Sequence, residues 1–414
     1  MELEVINTGT ELLLGQVTNT HVGYFGEQLL SLGLRINRQS AVPDGEKIKE
    51  VLAGAIRRSR IILVTGGLGP TSDDLTREMT AEFLGLALIE DEALIKAIRR
   101  RLEGTGVRMR AMNHRQAMVP EGAEVLVNDN GTAPGLYLPA GIGDCRAHIF
   151  LLPGPSRELY PIFKQLVVPR LEDILAASGT SVPACRNYFF MGLGESELAS
   201  RVELALSAIS EQFELGYCLK GGGVIVRCIC AEEDISVLDT VIKRASPEDY
   251  VAEGEFAVER CVVRGLNIAG ESVATAESCT GGFIANCITN VPGSSQVFNV
   301  AYVTYADQAK RELLGVTEAM FEDFGAVSEP VAKAMAEGCL LRSGADHAIS
   351  TTGIAGPDGG SEEKPVGSVW IGLASRGCGA YAWYYQFRTD RLNFKERASA
   401  TAIDLLRRRL NGYL

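Results

Sequence analysis

Histidine is scarce in this chain: four residues in 414, none at a ligand spacing from a cysteine, which argues against a zinc site. The ten cysteines form no CxxC pair, so neither a metal ribbon nor a disulfide framework is indicated, and reduced thiols in the cytoplasm are the expectation. Cys228 and Cys230 alternate in an apolar run and should share one strand face. No signal peptide opens the chain and no apolar run reaches the ~18 residues that span a bilayer, so no membrane partner is expected. Neither a Walker A loop nor a GxGxxG fingerprint occurs, which removes the P-loop and Rossmann dinucleotide readings. Positive charge is outweighed, with a net charge of −12; this disfavours nucleic acid as a partner, because phosphate contacts need clustered Lys and Arg. The basic runs Arg99-Arg100-Arg101 and Arg407-Arg408-Arg409 fall in helical patterns and read as solvated faces.

What is present describes a globular protein: 46% hydrophobic and 22% charged residues, in a length that calls for two or three domains. Short apolar strands at Leu3–Thr8 and Arg60–Val64, each followed by a Gly-rich turn and an amphipathic helix, predict a doubly wound parallel α/β sheet over residues 1–172. Residues 173–252 predict a small α+β unit (strand Arg186–Met191, helix Leu198–Ile209, strand Val224–Cys230, helix Ile235–Ala245). Residues 253–414 return to an α/β pattern and close on a helix from Leu392 to Leu410.

Four polar, Gly-rich segments fall at predicted strand ends of the first domain, where such sheets bind ligands. They contain Glu11, then Gly66 and Gly67 running on to Asp73 and Asp74, then Asn130 and Gly131, and finally Pro153 and Gly154. Glycines let a backbone approach phosphate closely. Asp73 and Asp74 either cap the helix that follows or hold a divalent cation against a diphosphate, since carboxylates alone would repel it.

In the last domain the run Thr275-Ala-Glu-Ser-Cys-Thr-Gly-Gly282 ends a strand and opens a helix. Ser278 is there placed as a nucleophile, with the N–H groups of Thr280, Gly281 and Gly282 as oxyanion donors. Tyr305 and Lys310 are candidates to move its proton, which points to an amidohydrolase. Ser278 reads equally as a helix cap, Lys310 as a solvated residue and Tyr305 as core packing; Cys279 is a rival nucleophile with no histidine near it in sequence.

The first-domain segments, with Asn113-His-Arg-Gln-Ala117 and Pro120-Glu-Gly-Ala123, resemble the molybdopterin-binding-like domain of the CinA family. Tyr302–Lys310 and Thr352–Gly367 resemble that family's C-terminal domain, and a KH-like connector lies between them in the family's order. The resemblance implies two activities. The first domain would hydrolyse ADP-ribose to AMP and ribose phosphate with a divalent metal (magnesium, manganese or cobalt, with potassium a further candidate) held by Asp73 or Asp74, with Glu11 a further candidate ligand. Asp44, Asn113, Gln116 and Asn130 would add polar contacts. The last domain would convert nicotinamide mononucleotide (NMN) to nicotinate mononucleotide and ammonia without a cofactor, with Ser278 as nucleophile, Tyr305 and Lys310 as proton carriers and Arg391 on the phosphate. Gly353 and Gly356 would lie in a loop for ribose or phosphate. A homodimer is also implied. The chain departs from the family pattern at His21, where Asn is usual, at Pro43, where Gly is usual, and at Thr389-Asp-Arg391, which lacks a Gly. A deamidase with an inactive first domain, or a non-catalytic nucleotide- or pterin-binding accessory in competence or DNA damage response, are the alternatives.

Overall fold

The computed structural model describes residues 1–104, 106–179, 183–209 and 212–414, which form two compact units, Met1–Cys185 and Arg186–Leu414. No helix among the described residues is long and apolar enough to cross a membrane.

The first unit is built on a six-stranded sheet in the order Ile36–Val42, Leu3–Thr8, Ile61–Thr65, Cys145–Leu152, Gly135–Ile142, Glu124–Leu126. Its first four strands are parallel, and the last two run antiparallel to their neighbours. The sheet is therefore mixed rather than wholly parallel. The reason is local: only Gly143 and Asp144 separate two of the strands, too few residues for the crossover a parallel pair needs. Leu3–Thr8 and Ile61–Thr65 are buried throughout, as strands covered on both faces should be. One face packs on a cluster that includes Phe25, Phe150 and Phe163; the other packs on Leu52, Ile56 and Leu136. Arg99 and Arg100 are exposed, as their run suggested.

The second unit carries two sheets. A four-stranded sheet in the order Phe213–Lys220, Gly223–Cys230, Ala184–Phe190, Tyr250–Glu253 takes helices Glu195–Leu206 and Ile235–Arg244, giving the expected α+β pattern; Cys228 and Cys230 are both buried. A five-stranded sheet follows in the order Phe298–Val303, Val273–Glu277, His347–Gly353, Ser368–Ser375, Ala380–Gln386. Its first three strands are parallel and its last two antiparallel.

The two sheets share one core, in which Phe189, Met191 and Ile225 pack with Val262, Leu266, Phe394 and Ile403. An ionic network fixes the same junction. Asp404 accepts from Arg407 Nε at 2.6 Å and Arg408 Nε at 2.8 Å, and Arg408 also reaches Asp249 at 2.7 Å. Arg407 donates to the carbonyls of Tyr250 and Glu248. The solvated face expected for the second basic run is thus corrected for Arg407, which is buried, and for Arg408, which is largely so. Guanidiniums tolerate that burial because every charge is paired and hydrogen-bonded.

Candidate functional sites

In the first unit the carboxyl ends of the four parallel strands open on a cleft of about 590 Å³, the place where open α/β sheets bind ligands. Asp44 follows the first strand in sheet order, Glu11 the second, Gly66, Gly67, Asp73 and Asp74 the third, and Pro153, Gly154 and Glu158 the fourth. Gly66 and Gly67 have φ of 99° and 63°. A Cβ at Gly66 would sit 2.3 Å from the Thr8 carbonyl, and one at Gly67 would sit 2.2 Å from Thr76 Oγ1; the turn requires glycine at both.

The cleft floor is a hydroxyl and amide network. Asn7 Nδ2 donates to Thr65 Oγ1 at 2.8 Å, Asn19 Nδ2 to Asn7 Oδ1 at 2.9 Å, and Thr8 and Thr76 share a hydrogen bond of 2.8 Å. His21 Nδ1 lies 3.3 Å from Thr65 Oγ1. Burial lowers the His21 pKa, against a backbone contact at Gly154 that raises it, so a neutral imidazole faces the cleft near pH 7.

Gln116 joins this lining and donates to Thr132 Oγ1. Asn113 and Asn130 lie outside the cleft lining, although Asn113 Nδ2 donates to Gln116 Oε1 at 3.4 Å. Asn113 Oδ1 accepts the Arg110 N–H at the start of a short helix, and the Asn130 N–H is spent on Asn128 Oδ1 in its own turn. Gly131 is likewise outside the lining, but it abuts buried Glu158 so closely that a Cβ would fall 1.7 Å from Oε2. Asp74 does not cap the following helix: its Oδ2 accepts the N–H and hydroxyl of Thr71.

Five carboxylates (Glu11, Asp44, Asp73, Asp74, Glu158) and no Lys or Arg line the cleft among the described residues. No three acidic, His or Cys groups among them converge to cage an ion unaided. An open, all-oxygen donor set of this kind fits a hard divalent cation that takes the rest of its shell from water and a substrate phosphate. The anionic lining would repel a diphosphate without one.

In the second unit a smaller cavity of about 190 Å³ lies at the carboxyl ends of the three parallel strands. Ser278 and Cys279 follow Val273–Glu277, Tyr305, Asp307 and Lys310 follow Phe298–Val303, and Thr352 and Gly353 end His347–Gly353; Arg391, at the start of the last helix, completes the lining. Five predicted residues (Ser278, Tyr305, Lys310, Gly353 and Arg391) from four distant segments are therefore brought together. Lys310 is only 2% exposed, and its ammonium donates to Asp307 Oδ1 at 2.8 Å and the Tyr305 carbonyl at 3.3 Å; a solvated helix residue it is not. Arg391 donates to the Tyr305 hydroxyl and to the Gly356 carbonyl. Burial pushes the Cys279 thiol up to about 12, leaving almost no thiolate at neutral pH and weakening it as the nucleophile.

Glu277 went unnoticed in the sequence and organises the turn. Wholly buried, its carboxylate accepts the N–H groups of Gly282 (2.9 Å), Ile284 (3.1 Å) and Ala285 (2.8 Å) and the Thr280 hydroxyl (2.7 Å). Glu277, not Ser278, therefore caps helix Phe283–Thr289. This corrects the oxyanion assignment. The Gly282 N–H belongs to Glu277, the Gly281 N–H to the Ser278 carbonyl, and neither residue lines the cavity; nor does Thr280. The amides of Cys279 and Thr280 make no backbone hydrogen bond among the described residues. The signal that could have exposed Glu277 is a lone acid at the end of an apolar strand, directly before a Gly-Gly helix start.

Residues 255–410 match the family described as "CinA C-terminal domain" and residues 4–173 the one described as "Probable molybdopterin binding domain". A CinA-like protein of Akkermansia muciniphila is 43% identical over 403 residues, 97% of this chain and 96% of the relative. One of Dictyoglomus turgidum is 37% identical over 417 residues, 99% of each. Among solved structures, the competence/damage inducible protein CihA from Agrobacterium tumefaciens matches with 41% identity over 37% of this chain and 93% of its own, at a TM-score of 0.36. With relatives this similar along its whole length, and both terminal domains matched in order, the chain belongs to the CinA family.

Proposed function

We propose that the C-terminal site is an NMN deamidase and the N-terminal cleft a metal-assisted ADP-ribose pyrophosphatase. The observation that carries the first is the convergence of Ser278, Tyr305, Lys310 and Arg391 on one cavity at the parallel strand ends. Ser278 Oγ attacks the carboxamide carbon as its hydroxyl proton passes to the leaving nitrogen by way of the Tyr305 phenol, while the Lys310 ammonium, paired with Asp307, stabilises the charge that develops. The Cys279 amide, in the cavity lining and without a backbone acceptor among the described residues, is the donor available to the developing oxyanion. As the C–N bond breaks, Tyr305, held by Arg391, passes a proton to the leaving nitrogen, and ammonia departs. Water then adds to the acyl-serine, Ser278 recovers its proton, and the carboxylate product leaves.

In the N-terminal cleft, Glu11, Asp73 and Asp74 would hold a divalent cation, which when bound neutralises diphosphate charge and makes a bound water more acidic. Glu158, buried and fixed by Asn128 Nδ2 at 2.8 Å, accepts a proton from the water that adds to phosphorus as the bridging P–O bond breaks. AMP and ribose 5-phosphate result.

A mass-spectrometric time course with NMN and ADP-ribose, with and without added magnesium, manganese or cobalt, tests both halves. Metal-independent nicotinate mononucleotide and metal-dependent AMP are expected. Unchanged NMN would overturn the first assignment, and unchanged ADP-ribose would leave the first unit a binding domain. The homodimer implied by family resemblance is checked by sedimentation of the full chain.

A further inference from the structure

We infer that Lys395, rather than Arg391, anchors the phosphate of the C-terminal substrate, and so sets a preference for mononucleotides over the dephosphorylated riboside. This rests on the deamidase reading of the same site. Both terminal nitrogens of Arg391 are already engaged, Nη1 with the Gly356 carbonyl at 2.8 Å and Nη2 with the Tyr305 hydroxyl at 3.0 Å. Its job is to hold the phenol and the loop. Lys395 lies four residues on and so shares a helix face with Arg391.

The Lys395 ammonium sits over the turn that carries the nucleophile. A Cβ placed on Gly281 would lie 3.5 Å from Nζ, and the charge stands 6.0 Å from the centre of the Phe283 ring. It makes no ion pair or hydrogen bond among the described residues, although the side chain is half-buried. A half-buried ammonium without an acceptor is costly unless an anion arrives. Two further cations are spent: Lys364 Nζ donates to the Phe324 carbonyl at 2.6 Å, and Lys310 Nζ to Asp307. The nearby acids do not compete for it, since Asp390 caps the last helix through Leu392 and Asn393 and Glu277 faces the turn's amides.

Size supports the same placement. A cavity of about 190 Å³ is below the ~300 Å³ that encloses a drug-sized ligand. It takes the amide-bearing ring beside Ser278 and leaves ribose and phosphate outside the cavity, within the reach we assign to the Lys395 ammonium over the Gly281 turn.

The test compares the full chain with Lys395→Gln and Lys395→Arg, using NMN and nicotinamide riboside as substrates and calorimetry for NMN binding. Lys395→Gln is expected to raise KM and Kd for NMN tenfold or more, with kcat within about twofold and riboside turnover unchanged. Lys395→Arg should restore most of the affinity. An unchanged Kd and KM in Lys395→Gln overturns the inference, as does a wild-type chain that binds no NMN. Weakened binding in a chain that never releases ammonia would instead leave the anchor standing and remove the deamidase reading.

Discussion

Arg391 donates a guanidinium N–H to the hydroxyl oxygen of Tyr305 at 3.0 Å, across 86 residues of sequence. Tyr305 is 61% exposed, so without this contact its phenol would sample solvent. Lysine at position 391 keeps the charge but cannot span Tyr305 and Gly356 together. For Arg391→Lys, kcat for ammonia release is expected to fall about a hundredfold with little loss of thermal stability. A kcat within twofold of wild type would take Tyr305 out of the reaction.

Removing the Glu277 carboxylate strands three backbone N–H groups and the hydroxyls of Thr275 and Thr280. Glu277→Ala should cost about 3 kcal/mol or more and abolish turnover by releasing the segment that carries Ser278. Denaturant titration reads the first effect; a loss under 1 kcal/mol would mean that water replaces the carboxylate.

Gly131→Ala forces a methyl into the Glu158 carboxylate. Overpacking of this kind costs about 1–3 kcal/mol and displaces the proposed proton acceptor of the first unit. ADP-ribose hydrolysis is expected to fall at least tenfold while NMN turnover holds. Equal loss of both activities would show a global folding defect instead.

His21 and His148 both titrate below the ordinary histidine range. Burial is the main cause in each, and the charges of Arg60 and Arg170 add to it at His148. Above about pH 6.5 both folded and unfolded chains carry neutral imidazoles, and these residues leave stability flat. Below that value the unfolded chain binds protons that the folded chain refuses, so stability declines. The melting temperature of the first unit should therefore drop between about pH 6.5 and pH 5, with a shallower slope in His21→Gln and His148→Gln. Slopes identical to wild type would contradict the assignment.

Asp249→Ala removes one acid from the pair that holds Arg408. A buried guanidinium left wholly unpaired costs about 3–5 kcal/mol; Asp404 still holds Arg408 Nε, so a smaller loss is expected, read as a lower denaturant midpoint for the second unit.

Strand ends and glycine turns were readable in the sequence because their physics is local. Leu3–Thr8 stands where periodicity placed it. The polar residues at those ends, from Glu11 to Gly154, mostly share one cleft for the same reason. What could not be read depends on distant partners. Arg407 and Arg408 look like any solvated basic run until Asp249 and the carbonyls of Glu248 and Tyr250 are brought beside them. The engagement of the Gly281 and Gly282 amides was hidden because an acid at a strand end shows no direction in sequence. Asn113 and Asn130 matched a motif, yet both satisfy their own local turns.

The core shared between the two sheets of the second unit also determines where the chain can be cut. A fragment beginning near residue 253 would keep every residue of the C-terminal cavity but expose Val262, Leu266, Phe394 and Ile403 where Phe189, Met191 and Ile225 now cover them. It would also strip Arg407 and Arg408 of their partners outside the last helix. A fragment cut at residue 253 is therefore expected to be less soluble than one that starts at the strand Ala184–Phe190, and sedimentation of the two checks it; equal solubility would show that the exposed apolar face is tolerated.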